Sequence, residues 1–252
     1  CVKKGSYDAL FSSADKEIVE EFKRLGYNMS NWAQKGNNAA KDYRIINPEL
    51  RKDLDGLKLY GHDAFSKYIP NIYKWGTVDT RLAIVQGLMD TDGTIDKRGH
   101  CSFSSVSEQL AKDMKFLINS LGGLATISKH KNHYIKNGER IEAADYYCVY
   151  IRINESHRLF RLSRKRDLCT DYNGGVSCLG RHIVDFEYIG EKECCCIAVN
   201  NTNSLFMVED FIVTHNSKSF SALMETLKDI RNSDFHGLIL RKEKNDLDSL
   251  IS

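Results

Sequence analysis

Apolar side chains recur at helical spacing in several segments of the chain, and short β-branched or aromatic runs separate them. The helical pattern covers Asp15–Gly26, Glu49–Leu54, a segment within Arg81–Ile95, Glu108–Gly122 and Glu155–Leu162. The strand-like runs are Tyr43–Ile46, Ser102–Val106, Leu124–Ser128 and Tyr146–Ile153. This alternation predicts an α+β fold.

The most apolar helix lies in Arg81–Ile95 and contains Gly87 in the middle of its apolar face. A glycine inside a helix costs about 1 kcal/mol relative to alanine, so we interpret Gly87 as room for a second helix to approach. The helix ends at Asp90-Thr91-Asp92-Gly93. Carboxylates at the negative pole of a helix are unfavourable unless a cation binds there. The pattern therefore predicts a divalent-metal site with the oxygen ligands that Mg²⁺ prefers.

The pattern of elements begins again after Gly93. Leu25-Gly26 at the end of one predicted helix returns as Leu121-Gly122, and Ile46-Asn47 returns as Ile153-Asn154. These matches indicate an internal repeat of roughly 100 residues. The first copy lacks an acidic helix like that of Arg81–Ile95, so we expect the chain to be truncated at its N-terminus.

Charge becomes informative in one segment. The 252 residues carry a net charge of +2, which by itself does not indicate nucleic acid. Lys129–Arg166, however, holds ten Lys or Arg against four Asp or Glu, with tyrosines between them. Basic residues and aromatics on strands are typical of DNA contact, and a solvated charged sheet face is the alternative. The candidate DNA-binding residues are Lys129, Lys131, Arg140 and Arg152.

Cysteine usage and hydropathy indicate the cellular compartment in which the protein works. There are eight cysteines but no Cys-x-x-Cys pair, which argues against a zinc site and a disulfide framework. No apolar run is long enough to cross a bilayer. We therefore expect a cytoplasmic protein without a membrane partner.

Val85–Gly93, which reads VQGLMDTDG, resembles the LAGLIDADG motif of homing endonucleases. The resemblance implies a duplicated αββαββα unit, in which two such helices pack at a pseudo-dyad and the last acidic residue of each binds the catalytic metal. That residue is Asp92 here. The resemblance also implies Mg²⁺ as cofactor, a double-stranded DNA target site as partner, and hydrolysis of phosphodiester bonds.

The same resemblance implies two catalytic lysines. Lys67, in the segment FSKYIP, stands 25 residues before Asp92, where the family has an active-site lysine. Lys165 falls near the matching place in the second copy. A lysine in either place would stabilise charge on the scissile phosphate or help to polarise the attacking water.

The tail Thr214-His215-Asn216-Ser217 carries a different chemistry. An Asn side-chain amide can attack its own main-chain carbonyl, which cuts the chain after it; a neighbouring His assists by protonating the leaving group. Ser217 would be an oxygen nucleophile for acyl transfer. With the strand–turn–strand segment before it, this tail resembles the C-terminal splicing region of an intein. That resemblance implies that Asn216 cyclises, that His215 assists and that Ser217 begins the downstream host protein.

The composition changes again after the tail. Lys218 and Ser219 open a helical run, as in the second half of a Walker A loop, whose backbone and lysine bind ATP phosphates. This segment resembles the ATPase of a phage terminase large subunit. ATP would therefore bind only after splicing has rebuilt the loop.

These observations predict three regions. Residues 1–170 would be a LAGLIDADG pseudo-dimer with a truncated first repeat, residues 171–216 the C-terminal strands of the Hint (intein splicing) domain, and residues 217–252 the start of the host ATPase. The chain would need the missing N-terminal half of the intein as a partner. Two alternatives stay open: a free-standing homing endonuclease or DNA-binding regulator of this class, and a non-enzymatic α/β interaction domain.

Overall fold

The computed structural model describes residues 9–33, 40–136, 138–169, 179–180, 184–185, 187–193, 197, 199–200, 203 and 205–215. The chain divides into two compact units, Cys1–Val184 and Asp185–Ser252. The three regions expected from the sequence have different limits, and those limits stay a prediction.

The first unit begins with a three-stranded antiparallel sheet and two helices. Its elements are β1 (Ala9–Ser13), α1 (Lys16–Arg24), β2 (Met29–Ala33), β3 (Lys41–Ile45) and α2 (Pro48–Gly56). The strand order is β1-β3-β2, with β3 in the centre. Phe11 of β1 stacks on Phe22 of α1, with ring centroids 4.9 Å apart, and on Tyr43 of β3 at 5.2 Å. This aromatic layer holds α1 against the sheet.

A second, larger set of elements follows in the same unit. It comprises α3 (Asn71–Lys74), α4 (Val78–Thr91), β4 (Gly93–Ile95), β5 (Cys101–Ser105), α5 (Glu108–Ser120), β6 (Leu124–Lys136), β7 (Glu139–Arg152), a 3₁₀ turn (Ser156–Leu159) and α6 (Ser163–Arg166). The antiparallel sheet has the order β4-β5-β7-β6. From α4 to α6 the chain thus runs αββαββα, as the sequence resemblance implied.

The two sheets share a topology. In each, a strand is followed by a helix and two further strands, and the last of these lies in the centre: β1-β3-β2 in the first sheet and β5-β7-β6 in the second. This correspondence supports the internal repeat. Within the described part of the first copy, nothing corresponds to α4 and β4.

The second set of elements, from α3 to α6, forms the larger half of this unit. Its core lies between one sheet face and the helices α4 and α5. Phe103 and Val149 on the sheet, Met114 and Leu117 on α5, and Met89 on α4 are all fully buried. Strand residues alternate between the two faces of a sheet. The opposite face of the same strands is therefore available for other contacts.

Strands extend beyond those predicted from local pattern. The pattern marked no strand between Gly26 and Tyr43, but this stretch contains β2, whose residues pair with β3. The strands β6 and β7 run 13 and 14 residues, well beyond the predicted Leu124–Ser128 and Tyr146–Ile153. Their outer halves are polar, so no alternation of apolar residues marked them; pairing between the two strands satisfies their backbone groups instead.

The predicted helix Glu155–Leu162 is also wrong. Glu155 has a positive φ of 55° and precedes a single 3₁₀ turn. The backbone N–H groups of Arg161 and Leu162 donate to the carboxylate of Asp90 on α4. Because a tertiary partner takes these donors, the helix does not continue.

In the second unit the described residues form one β-hairpin. β8 (Leu205–Met207) pairs antiparallel with β9 (Val213–His215), and Leu205 lies opposite His215. The sequence predicted a strand–turn–strand here; the structure has one, with a 3₁₀ turn at Glu209–Phe211 and a second strand that begins only at Val213. Further strands of the splicing domain were expected in residues 171–216; among the described residues of this range, none outside the hairpin is in a strand.

Several predicted site residues lie outside the described residues: Asn216, Ser217, Lys218 and Ser219. In the described part of the chain, no helix has both the length and the apolar character needed to cross a bilayer.

Candidate metal and DNA-binding site

Asp92 forms the C-cap of α4 and its side chain is exposed. Its backbone N–H donates to the Leu88 carbonyl at 2.9 Å, so the last helical turn closes at this residue. Among the described residues, no group of three or more His, Cys, Asp or Glu side chains is arranged to hold a metal ion. Asp92 therefore offers a single carboxylate. This fits Mg²⁺, which usually keeps several waters and binds one or two carboxylates together with substrate phosphates.

Asp90, the other carboxylate of the motif, points into the protein. It is buried, and its oxygens accept the backbone N–H groups of Arg161 (3.1 and 3.2 Å) and Leu162 (3.2 Å). Burial raises the pKa of Asp90, and these N–H donors oppose that effect. Asp90 thus fixes the segment after the 3₁₀ turn and is not free to bind a metal.

The cation at the end of α4 is Lys165. Its ammonium donates to the carbonyl oxygens of Met89 (2.7 Å), Asp90 (2.8 Å) and Gly93 (2.7 Å), and the residue is only 6% exposed. Burial, with a smaller effect from Arg164, lowers the pKa of Lys165. The sequence argument assigned the negative pole of this helix to a metal. The structure shows that a lysine binds the terminal carbonyls, so the helix dipole does not require a metal; a metal at Asp92 stays a prediction.

This finding also changes the interpretation of Lys165 itself. The resemblance implied an ammonium that stabilises charge on the scissile phosphate or helps to polarise the attacking water, but the structure turns all three of its N–H groups toward the backbone. A dependence of DNA cleavage on Lys165 stays a prediction; direct contact with the phosphate does not agree with this geometry.

Gly93 and Gly87 have opposite surroundings. A Cβ on Gly93 would lie 2.6 Å from both the Cα and the carbonyl oxygen of Met89, a distance that real contacts do not show. A Cβ on Gly87 would meet no atom within 4 Å. Gly93 is thus required by the turn after α4. The partner helix that we inferred from Gly87 is not supplied by the described residues.

The Gly87 side of α4 is an open face between two grooves. One groove, of 540 Å³, is lined from the α1 side by Ile18 and Phe22. The other, of 440 Å³, is lined by Lys67 and Tyr68. Ala83 and Gly87 line both, and both are exposed. Small residues on an open helix face leave space for another backbone to approach closely.

Lys67 is half-buried in the second groove, alongside Ile84, Gly87 and Leu88 of α4. Leu88 lies about one helical turn before Asp92. The Ser107 hydroxyl, at the N-cap of α5, donates to the main-chain carbonyl of Lys67 at 2.6 Å. The backbone around Lys67 is thereby fixed to α5.

A buried carboxylate on α5 reinforces this attachment. Asp113 accepts the Ile69 N–H at 2.8 Å, the Lys74 ammonium at 2.7 Å and the Gln109 side-chain amide at 3.0 Å. In the sequence Asp113 looks like an ordinary polar residue of an amphipathic helix. Its role was missed because its partners are 39 and 44 residues away.

The DNA candidates fall on different surfaces. Arg152 is exposed on the sheet face opposite the core, the face that also carries Thr94 and Ser102, whose hydroxyls lie 2.8 Å apart. Lys129 lies on the other face and pairs with Asp145 at 3.1 Å. Lys129 and Arg152 therefore lie on different surfaces, and DNA contact by Lys129 stays a prediction.

The remaining two DNA candidates lie toward the far end of the β6–β7 hairpin. Lys131 stands at a register shift between His130 and Asn132, and Arg140 pairs across from Ile135. Nearer the sheet, His130 stacks on Tyr146 at 5.2 Å and lies 3.3 Å from the Tyr150 hydroxyl. The hairpin thus extends the sheet with basic and aromatic side chains.

Residues 79–163 match the family model of the LAGLIDADG-like domain. The matched segment runs from the first turn of α4 to the start of α6 and includes both acidic residues of the motif. These residues therefore form a LAGLIDADG-like domain within a mixed α/β fold.

Two curated proteins are similar to the chain. It is 26% identical over 216 residues to the replicative DNA helicase DnaB of Mycobacterium intracellulare, a match that covers 78% of the chain and 36% of the helicase. It is 25% identical over 162 residues to a DNA polymerase of Thermococcus kodakarensis, covering 64% of the chain and 9% of the polymerase. The chain thus spans about a third of one relative and less than a tenth of the other.

Solved structures of the homing endonuclease I-DmoI are also similar. Mesophilic variants of it match with a TM-score of 0.39 at 13% identity, over 60% of this chain and 76% of theirs. Its complex with DNA and Ca matches with a TM-score of 0.41 at 11% identity, over 64% of this chain and 81% of that one.

Proposed function

We propose, starting from the LAGLIDADG-like domain in residues 79–163, that this chain is the nuclease-bearing part of an intein. Its nuclease would hydrolyse a specific double-stranded DNA site with Mg²⁺, and its tail would perform protein splicing. The observation that supports the nuclease best is the end of α4: an exposed Asp92 held at a rigid turn, beside an open helix face.

The exposed Asp92 is the residue that would hold Mg²⁺. The bound ion would neutralise charge on the scissile phosphate and activate water. Asp92 would supply one carboxylate to the ion, and the matching helix of the other LAGLIDADG copy would supply the second. Lys67, fixed to α5 through its backbone, would extend its ammonium toward the phosphate.

The open face of α4 would receive that matching helix. Ala83 and Gly87 leave room for close backbone approach, and the flanking grooves would accept the larger side chains of the partner. We assign this partner to the N-terminal half of the intein.

DNA would bind on the sheet face that carries Thr94, Ser102 and Arg152 and along the β6–β7 hairpin. Side-chain hydroxyls can read base edges in a groove. The basic residues of the hairpin, Lys131 and Arg140, would contact phosphates, which give affinity without sequence preference. The cytoplasm, where the DNA target lies, is the proposed location.

The relatives support an inserted element. Segments of 216 and 162 residues cannot be placed in a chain of 252 residues without overlapping. Part of this chain is therefore similar to both a helicase and a polymerase, over a minority of each. A mobile intein placed in unrelated host proteins accounts for such a pattern.

The splicing role is proposed for the tail. β9 ends at His215, paired with Leu205 of β8, so the strand would restrain the backbone that leads into Asn216. Asn216 would cyclise, His215 would protonate the departing amine, and Ser217 would begin the host segment. Lys218 and Ser219 would complete a phosphate-binding loop of a terminase-like ATPase.

The nuclease is tested with this chain supplemented by the N-terminal half of the intein. Asp92→Asn should abolish Mg²⁺-dependent cleavage of the target while DNA binding persists, and Lys67→Met should slow single-turnover cleavage. Asp79→Asn is the matched control, because it removes the same charge from the exposed first turn of α4. If Asp92→Asn cuts at the wild-type rate, the metal-ligand role is wrong. If the wild-type protein binds DNA without cutting it, a DNA-binding regulator is the better description.

Splicing is tested separately by mass spectrometry of the same reconstituted protein. The wild type should release a piece ending in Asn216 or its succinimide. Asn216→Ala should block cleavage before Ser217, and His215→Ala should slow it. A wild-type chain that stays intact at that bond, with the upstream splicing elements present, contradicts the splicing role.

A further inference from the structure

The end of α4 and the segment 161–165 hold each other in both directions. Asp90 accepts the backbone N–H groups of Arg161 and Leu162. In return, Lys165 donates to the carbonyls of Met89, Asp90 and Gly93. One partner of each exchange is a buried charged side chain and the other is backbone. Hydrogen bonds therefore run in both directions between the two segments, and the backbone groups that accept from Lys165 lie on both sides of Asp92 in the chain.

All three N–H donors of the Lys165 ammonium take part in these hydrogen bonds. An ammonium group has three N–H donors, and each meets a carbonyl oxygen at 2.7 or 2.8 Å. If the Lys165 side chain rotated outward to reach a phosphate, three carbonyls would lose their hydrogen-bond donor. Two of these carbonyls lie in the last turn of α4. Such carbonyls need a partner when they are buried.

The neighbouring cations do not duplicate this contact. Arg164 makes a bidentate pair with Asp15, at 2.7 and 2.8 Å. Arg166 is half-exposed and lies 3.9 Å from Asp167. By charge alone Arg164, Lys165 and Arg166 would be equivalent. Among the three, it is the Lys165 ammonium that lies within hydrogen-bond distance of the three carbonyls.

We propose that Lys165 is a positioning residue for the nuclease: it fixes the turn from Asp90 to Gly93 and thereby the direction in which Asp92 presents its carboxylate. This inference rests on the proposed function, since it gives Lys165 its role through Asp92. It differs from the role at the scissile phosphate or the attacking water that the resemblance implied.

The turn contains three attachment points within five residues. The Met89 and Asp90 carbonyls lie before Asp92, and the Gly93 carbonyl lies after it. The absence of a Cβ at Gly93 allows the chain to pass directly against Met89. Asp92 is exposed, but the backbone on both sides of it is held. A metal ligand with a fixed backbone loses less freedom when the ion binds.

The test uses the full 252-residue chain as Lys165→Met, with Arg166→Met as the control that removes the same charge one residue away. Hydrogen exchange is measured by mass spectrometry on the peptide that contains residues 89–95. Loss of charge-assisted hydrogen bonds should speed exchange there by about tenfold in Lys165→Met. Arg166→Met should exchange at the wild-type rate.

A second measurement separates positioning from general stability. Binding of Mn²⁺ is followed by electron paramagnetic resonance in wild type, Lys165→Met, Asp92→Asn and the double variant, each supplemented with the N-terminal half of the intein that would supply the second carboxylate. Lys165→Met should weaken Mn²⁺ binding when Asp92 is present and change nothing in the Asp92→Asn background. An equal loss in both backgrounds would overturn the proposal.

The remaining outcomes are also decisive. Wild-type exchange in the 89–95 peptide of Lys165→Met would overturn the role of Lys165. If Lys165→Met does not fold, Lys165→Arg takes its place, because a planar guanidinium cannot match three converging carbonyls; unchanged exchange in that variant would overturn the proposal equally. If the wild type binds no Mn²⁺, the proposed metal role of Asp92 fails, while the exchange data still decide whether Lys165 holds the turn.

Discussion

Replacing Asp113 by alanine should be among the most destabilising single changes in the larger half. The carboxylate is buried on α5, and its side chain is 3% exposed. It accepts the Ile69 N–H at 2.8 Å and the Lys74 ammonium at 2.7 Å. These bonds attach the segment that carries Lys67 to the core of the domain.

The size of the effect follows from burial. Removing one partner of a buried ion pair costs about 3–5 kcal/mol, because the other charge is left without compensation. Lys74 is 16% exposed and can reach some water, which favours the lower end of that range. The Ile69 N–H would also lose its acceptor, at a cost of roughly 1–3 kcal/mol. Since these costs overlap, we expect a loss of about 3–4 kcal/mol in the free energy of unfolding.

Glu108 provides a matched control on the same helix. Its ion pair with Lys112 has the same length, 2.7 Å, but the two side chains are 52% and 60% exposed. Exposed pairs contribute about 0–1 kcal/mol. Urea unfolding of Asp113→Ala and Glu108→Ala, followed by circular dichroism, therefore compares a buried carboxylate with an exposed one, which also accepts the Tyr147 hydroxyl at 2.9 Å. Exchange of the Ile69 amide should also accelerate in Asp113→Ala and not in Glu108→Ala.

The reasoning is refuted if the two alanine variants lose similar stability. It is also refuted if Asp113→Ala is strongly destabilised while the Ile69 amide exchanges as in the wild type. In that case the stability would come from contacts of α5 other than the attachment of the Lys67 segment.

The two glycines of the motif should respond in opposite ways to alanine. Gly93→Ala places a Cβ against the backbone of Met89 and should lower the thermal midpoint by several degrees, as an overpacking cost of about 1–3 kcal/mol predicts. Gly87→Ala meets open space and should stabilise this chain by about 1 kcal/mol in urea unfolding, yet weaken association with the N-terminal half; unchanged association would contradict the docking face. Arg164 holds the pKa of Asp15 below its ordinary value of 3.8. The ionised carboxylate therefore stabilises the fold above pH 3.8, and this contribution is lost as the pH falls through the lower, folded pKa. Wild type should thus exceed Asp15→Asn in stability at pH 6, and the gap should close as the pH falls below 3.8 and through the lowered pKa of the folded state; a constant gap would contradict the assignment.

Much of the secondary structure could be predicted from local pattern. Apolar spacing located α1, α4 and α5, because a helix buries one face and leaves its period in the sequence. The return of Leu-Gly and Ile-Asn indicated the repeat that the strand orders β1-β3-β2 and β5-β7-β6 support. The motif VQGLMDTDG predicted the domain that the family model matches. These features depend on neighbours within a few residues.

The sequence could not assign roles to chemically identical side chains. Asp90 and Asp92 stand two residues apart, yet one is buried under two backbone N–H groups and the other is exposed. Lys165 looked interchangeable with the arginines beside it until three carbonyls, more than 70 residues earlier in the chain, were found to bind it. Lys129 likewise looked like Arg152, and the pleat of the sheet placed them on opposite faces.

The sequence by itself thus determined the helices and strands that carry an apolar period, because such periods, caps and glycine positions act through local geometry; β2 and the polar outer halves of β6 and β7 carry none. The tertiary structure alone decided which charges serve the fold and which remain for chemistry. The reason is that a carboxylate or an ammonium acquires its role from the partners that burial brings to it. Asp90 finds its partners in the amides of residues 161 and 162, and Lys165 finds its partners at the end of α4. These groups are distant in the chain and meet only when the segment 161–165 packs against α4.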